Sequence, residues 1–233
     1  MVIIDSHQHF WNPEELDLSS LPDDLNRSYM PGDLLPELKR AGVDYTVFVQ
    51  GFPQTLETNK WYFTQANANP FVMGVVAWAD LMNPDRLGSQ LDDLQTESKF
   101  VGIRHVVESE PDLNWIVREP VIESLKELAR RQIPFDMVIN PSHLENVINV
   151  LDKIPDLPTV IDHIAKPNIA HGGSLNWLNQ LTEIASHDNV YCKLSGMVTE
   201  AKRETWTVED LRPYVGQVID IFGFERLMYG SDW

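Results

Sequence analysis

Val2-Ile3-Ile4-Asp5-Ser6-His7-Gln8-His9-Phe10-Trp11 opens the chain. An apolar run leads directly into ionisable side chains, the pattern of a buried strand whose end reaches a site. His7 and His9 are two residues apart, so on a strand they point to the same side. The chain closes in the same way, with Leu227-Met228-Tyr229 running into Gly230-Ser231-Asp232-Trp233. Two imidazoles on one side can grip a metal ion or the polar end of a substrate, and a late Asp can complete such a site. Chance also places two histidines on one strand face, so the remaining sequence has to decide.

Outward from this stretch, short apolar runs at 2–4, 45–50, 71–77, 100–105, 135–139, 159–163, 190–194 and 227–230 read as strands. Helix-compatible segments separate them at 33–41, 56–68, 84–97, 119–131, 142–153, 174–186 and 208–222. Asn83 before Pro84, Ser142 and Ser174 are N-cap candidates, and Gly42 and Gly223 stand where C-terminal glycines belong. The strands are β-branched and continuously apolar, which suits strands covered on both faces, as in a parallel sheet. Eight such strands alternating with helices predict a single α/β domain over 1–233, a (β/α)8 TIM barrel, with a doubly wound open sheet as the alternative. No Gly-x-Gly-x-x-Gly follows a strand and there is no phosphate loop, which disfavours nucleotide-binding readings. The loop 12–31 follows strand one and is expected to help roof the site. The chain stops at Trp233, directly after the eighth strand, so the eighth helix is expected to lie in a continuation of the natural protein.

The formal net charge of -17 argues against nucleic acid and anionic membranes as partners. The one cysteine, Cys192, excludes an internal disulfide and fits a reducing, cytoplasmic setting; on its strand it reads as a small buried residue. No apolar run approaches the roughly 18 residues of a membrane span. A small molecule is the expected partner, and a homo-oligomer is compatible with the sequence.

In a barrel, active-site side chains come from the C-terminal ends of several strands. Those ends carry His7 and His9, Gln50, Trp78 and Asp80, Arg104 and His105, Asp162 and His163 followed by Lys166, Lys193 and Ser195, and Asp232. Strand five alone ends without a histidine. A structural barrel needs none of these groups, so the pile-up points to a site. Each also has a plainer reading: Asp232 as a helix cap, His163 as a core histidine bonded to backbone, and Arg104 as an ion pair at the barrel mouth. Likewise Lys166 reads as a loop-fixing ion pair, and the tryptophans as packing.

His7-x-His9, Asp162-His163-x-x-Lys166-Pro167 and Gly230-Ser231-Asp232-Trp233, in this order, resemble the amidohydrolase superfamily. Together with Val49-Gln50, Gly102-Ile103-Arg104-His105 and Lys193-Leu194-Ser195-Gly196, they are similar to its lactonase branch. That branch holds fuconolactonases, rhamnonolactonases and 2-pyrone-4,6-dicarboxylate lactonases. The resemblance spans essentially the whole chain and implies a TIM-barrel hydrolase acting on a small lactone. Binuclear members of the superfamily use a strand-four lysine and a strand-five histidine. Here strand four carries Arg104-His105 and strand five has no histidine, which argues against a two-metal centre. His7, His9, His163 and Asp232 are then the ligand set for one divalent ion, zinc or manganese, in an enzyme that is also expected to work with no cofactor.

Lactone opening needs water deprotonated, the carbonyl polarised and the leaving alkoxide protonated. Asp232 is assigned as the general base, with His163 and Arg104 polarising the carbonyl. His7, His9, Gln50, Trp78 and Lys166 are assigned to substrate binding. His105 falls on the opposite strand face from Arg104 and reads as support. Two other readings stay open: a mononuclear-zinc decarboxylase of the same superfamily, and a non-catalytic ligand-binding barrel. The expected function is opening of a sugar-acid lactone.

Overall fold

The computed structural model describes residues 1–19 and 25–233. Eight parallel strands stand in chain order: β1 (Ile4–Gln8), β2 (Tyr45–Val49), β3 (Val72–Ala77), β4 (Phe100–Val106), β5 (Phe135–Val138), β6 (Thr159–Ile161), β7 (Val190–Leu194) and β8 (Leu227–Tyr229). Their order is sequential from β1 to β8, so each crossover places the next strand beside the last. The ends of the sheet meet. Ser6 Oγ donates to the Tyr229 carbonyl at 2.7 Å, the Asp232 amide to the His7 carbonyl at 2.8 Å, and the His9 amide to the Trp233 carbonyl at 3.0 Å. The result is a nearly closed (β/α)8 barrel.

Among the described residues seven α-helices cover it: α1 (Pro31–Ala41), α2 (Leu56–Ala68), α3 (Pro84–Gln95), α4 (Glu119–Arg131), α5 (Leu144–Lys153), α6 (Leu175–Ala185) and α7 (Val208–Phe222). Their termini follow local chemistry. Ser174 caps α6 by accepting from the Trp177 amide, and Gly42 ends α1 at φ 71°, a left-handed conformation that costs glycine little. Two predicted caps are corrected. Asn83 stands at the α3 N-cap with Pro84 following, yet its side chain makes no cap bond. Ser142 lies inside a 3-10 turn that Asn140 caps, its Oδ1 accepting from the Ser142 amide at 3.1 Å. Between sheet and helices lies the core, where Val72, Val75, Ile103, Phe135, Leu125, Leu151, Leu181 and Val190 are fully or almost fully buried. Each such side chain contributes about 1.5–3 kcal/mol by leaving water. No described helix is long and apolar enough to cross a membrane.

The first strand lies further along the chain than its apolar run predicts. Val2, Ile3 and Ile4 are exposed, whereas Asp5, His7 and Gln8 are fully buried in β1. Pairing with Tyr45, Thr46 and Phe48 of β2 sets this register, and it turns the Asp5 and His7 side chains to partners inside the barrel. The sixth strand is shorter than predicted: β6 stops at Ile161, and Asp162 starts a tight turn in which His163, Ile164, Ala165 and Lys166 all have positive φ, between 47° and 57°. The roof loop ends one residue earlier than expected, because Pro31 opens α1. Its residues 20–24 lie outside the described part of the chain. Trp11 and Tyr29 pair across the loop as an antiparallel bridge.

Candidate active site

β1 and the residue after it, β4 and the segments after β6 and β8 deliver five groups, His7, His9, Arg104, His163 and Asp232, to one point at the C-terminal ends of the strands. His7 Nε2 and His9 Nε2 are 3.1 Å apart, and each stands 3.6 Å from Asp232 Oδ1. His163 Nε2 lies 3.8 Å from the same oxygen, and its Nδ1 pairs with Ser195 Oγ at 2.9 Å. Arg104 Nη1 is 3.0 Å from His7 Nε2. Asp232 holds this place with φ 59°, and Asp5 braces the turn before it. The Asp5 carboxylate accepts from the Ser231 hydroxyl at 2.5 Å, the Ser231 amide at 2.9 Å and the His7 amide at 3.0 Å. Gly196 leaves the space behind the cluster, since a Cβ there would stand 2.5 Å from His163 Nδ1 and 2.8 Å from Asp232 Oδ2.

Electrostatics fix the protonation states. Burial pushes the His7 imidazole far below the usual histidine range, further than the Asp162 carboxylate beside it can restore. The His163 imidazole is lowered for the same reason, with Asp232 and Asp162 opposing. Both rings are therefore neutral near pH 7. Burial would raise the Asp232 carboxyl, but His9, 3.6 Å away, and the neighbouring histidines outweigh it and hold the group below the usual carboxylate range. Asp232 is thus ionised and free to accept a proton.

Above the cluster lies a cavity of about 490 Å³, bounded by His9, Arg104 and Asp232 on its polar side. The other walls are Phe10, Trp11, Leu18, Leu25, Tyr29, Gly51, Phe52, Thr199 and Trp233. Loop 12–31 therefore does contribute to the walls, through Leu18, Leu25 and Tyr29. Arg27 lies over the Tyr29 ring at 4.2 Å, and Trp11 packs against the same ring at 4.3 Å.

Other residues singled out in the sequence stand elsewhere. His7 is fully buried beneath the cavity instead of lining it. Gln50 is buried behind Arg104, its Oε1 accepting from Arg104 Nε at 3.4 Å. The structure does not bring Trp78 to the cavity: its amide and carbonyl are bonded to the Asn59 side chain, and its ring lines a separate pocket with Thr55, Asp80 and Asn83. Lys166 pairs with Glu108 and does not line the cavity. His105 stacks on Trp115 at 4.0 Å and pairs with Glu110 at 2.7 Å, a supporting role. Sequence reasoning gave Asp5, Asp136 and Phe52 no place. Only Asp5 carried a signal, as a lone carboxylate within the first motif.

The donor set fits one divalent ion. Metal–ligand bonds of about 2.0–2.2 Å put neighbouring ligands of a tetrahedral ion roughly 3.3–3.6 Å apart, close to the His7, His9 and Asp232 triangle. Arg104 reaches the same His7 nitrogen, so that atom serves the guanidinium or an ion, one at a time. A second group of donors, His7, Asp162 and His163, lies deeper. There the Lys193 ammonium is already seated, 3.0 Å from Asp162 Oδ1.

Known proteins resemble the chain over almost its whole length. The chain is 39% identical over 234 residues to an L-fucono-1,5-lactonase of Burkholderia ambifaria, covering 99% of this chain and 79% of that one. An L-fucono-1,5-lactonase of Burkholderia multivorans is 30% identical, covering 99% and 81%. A crystal structure of an amidohydrolase from Burkholderia multivorans with bound zinc superposes with a TM-score of 0.89 at 29% identity, covering all of this chain and 84% of that one. The amidohydrolase family profile matches residues 4–233, and the chain belongs to that family.

Proposed function

We propose that the protein hydrolyses a small-molecule lactone, most directly a sugar-acid lactone, in a reducing, cytoplasmic setting. The observation that carries the reading is the convergence of an ionised Asp232 and the Arg104 guanidinium on one wall of a cavity with aromatic sides. The identity to fuconolactonases supports the sugar-acid class of substrate.

In this reading the lactone carbonyl points at Arg104, whose fixed positive charge stabilises the oxyanion as water adds. Asp232 takes the proton from that water. The tetrahedral intermediate then collapses by breaking the ring C–O bond, and Asp232 returns the proton to the departing alkoxide. The product is an open-chain hydroxy acid, which loses its proton at neutral pH. His163 and His9 hold Asp232 in place, and Trp11, Phe52 and Trp233 pack against the sugar ring. His7, His9 and Asp232, with His163 beside them, are the residues that would hold a zinc or manganese ion. Such an ion polarises a carbonyl or lowers the pKa of a water. The reaction as drawn does not require it, because Arg104 already brings positive charge to the carbonyl.

The test is acid release on a panel of aldonolactones, with chelator-treated and with metal-supplemented protein. Turnover of one or two lactones is expected under at least one condition. Silence under both removes the sugar-lactone assignment.

A further inference from the structure

A chain of buried charges runs along the barrel axis beneath the cavity. The Lys193 ammonium, 2% exposed, stands 2.5 Å from Asp136 Oδ2, 3.0 Å from Asp162 Oδ1 and 3.3 Å from His7 Nδ1. Asp162 extends its other oxygen to Arg104 Nη1 at 3.4 Å, and Arg104 in turn reaches His7 Nε2. Two carboxylates and two cations thus balance in the buried interior. His7 is flanked on both ring nitrogens by groups that only donate. In one tautomer Nδ1 accepts from Lys193. In the other Nε2 accepts from Arg104 while Nδ1–H faces Asp162 at 3.4 Å. Either way the ring has a partner and no freedom to turn.

We infer that Lys193 is a positioning residue of this site: its ammonium, lodged between Asp136, Asp162 and His7, fixes the His7 ring and, through Asp162, the Arg104 guanidinium that faces the substrate cavity. Burial works against the lysine charge, but Asp136 and Asp162 more than compensate and keep the ammonium protonated. The geometry also supplies a route to test it. A second cavity, of about 290 Å³, is lined by Lys193 and Asp136 together with Val47, Val76 and Val160. Pro134 and Pro158, which directly precede β5 and β6, also line it, so it opens at the N-terminal ends of the strands, opposite the substrate cavity. A small cation can therefore reach the Asp136 carboxylate from behind without competing with substrate.

The kinetic arm of the test rests on the lactone-hydrolase reading. In Lys193→Ala, kcat is expected to fall by about 10² or more with KM within about threefold, the signature of a misplaced catalytic group. Methylammonium, which restores the N–H donors and the charge, is expected to recover at least about tenfold of kcat with saturation; tetramethylammonium, a cation without donors, is expected to recover none. A kcat within twofold of wild type overturns the inference, as does a loss that methylammonium does not repair or that both cations repair equally. If the alanine variant fails to fold, Lys193→Arg is compared with Lys193→Met. The arginine variant is expected to be at least about tenfold the faster, because it alone keeps a donor cation, and equal rates overturn the inference. If the wild-type protein opens no lactone, the hydrolase reading fails and the positioning role is decided by NMR. The Arg104 Nε–H proton is expected to exchange with solvent at least about tenfold faster in Lys193→Met than in wild type. Unchanged exchange overturns the inference.

Discussion

Asp232 concentrates the chemistry in one side chain. It is the group on which His7, His9 and His163 converge, and it borders the cavity beside Arg104. Replacing its carboxylate by an amide keeps the shape and removes the base. Asp232→Asn is therefore expected to fold normally and to lose kcat by a factor on the order of 10² or more on the lactone that wild type opens. Near-normal steady-state rates in that variant would remove Asp232 from its role. Gly196 tests placement instead of chemistry. A methyl at this position meets both His163 and Asp232 at under 3 Å and sits on a φ of 59°, so Gly196→Ala is expected to lower kcat about 10-fold or more while leaving both groups present. Full activity in that variant would show that the cluster tolerates movement. At this scale the sequence disclosed His7, His9, Arg104 and Asp232 as strand-end groups that the barrel brings together. It concealed the roles of Lys193 and Asp136, because a charge within an apolar strand has no visible partner until neighbouring strands are in register. Trp78 was misplaced because nearness to a strand end says nothing about where the following backbone turns; the Asn59 side chain fixes that turn and carries the indole away.

Among the elements, the turn after β6 is the one that local rules oppose. Four consecutive residues with side chains, His163 to Lys166, adopt left-handed conformations, each disfavoured by roughly 1–2 kcal/mol. Tertiary contacts hold them. The Trp177 indole of α6, buried, donates to the Ile164 carbonyl at 2.9 Å, the Lys166 amide bonds the His163 carbonyl at 2.8 Å, and Lys166 pairs with Glu108. Trp177→Phe keeps most of the packing but strands that carbonyl, so a loss of about 1–3 kcal/mol is expected by urea unfolding. A fall in kcat is expected with it, because the turn carries His163; a stability equal to wild type would show that the indole bond does not hold the turn. The sequence pattern located α2, α4 and α7 to the residue and β7 likewise; α4 and α7 carry a clear apolar stripe, whereas α2 carries almost none. It mislaid β1 because where that strand enters the site its buried residues are polar and hydrophobicity marks the wrong boundary; it overran β6 because the left-handed turn that begins after Ile161 leaves no mark in the apolar pattern.

For the whole molecule, the interior polar groups set the response to acid. His7, His105, His143 and His163 are all held below the usual histidine range, chiefly by burial. Each is neutral when folded, whereas in the unfolded chain each binds a proton as the pH drops through about 6.5. The unfolded state then carries more protons, so the stability these groups contribute is fully present above pH 6.5 and is lost as the pH falls. Asp136 opposes this. Burial raises its carboxyl to about 6 against the pull of Lys193, so the folded protein itself takes up a proton near pH 6. Four lowered histidines against the raised Asp136 and Asp5 carboxyls leave a net loss of stability between pH 7.5 and 6 in chelator-treated protein. Urea midpoints at the two pH values measure it, and His105→Gln, which lies outside the donor cluster, is expected to shrink the drop. Equal midpoints for the wild-type protein at pH 7.5 and 6 would mean that the barrel interior admits protons freely, and with them water, which a neutral His7 locked between Lys193 and Arg104 does not allow.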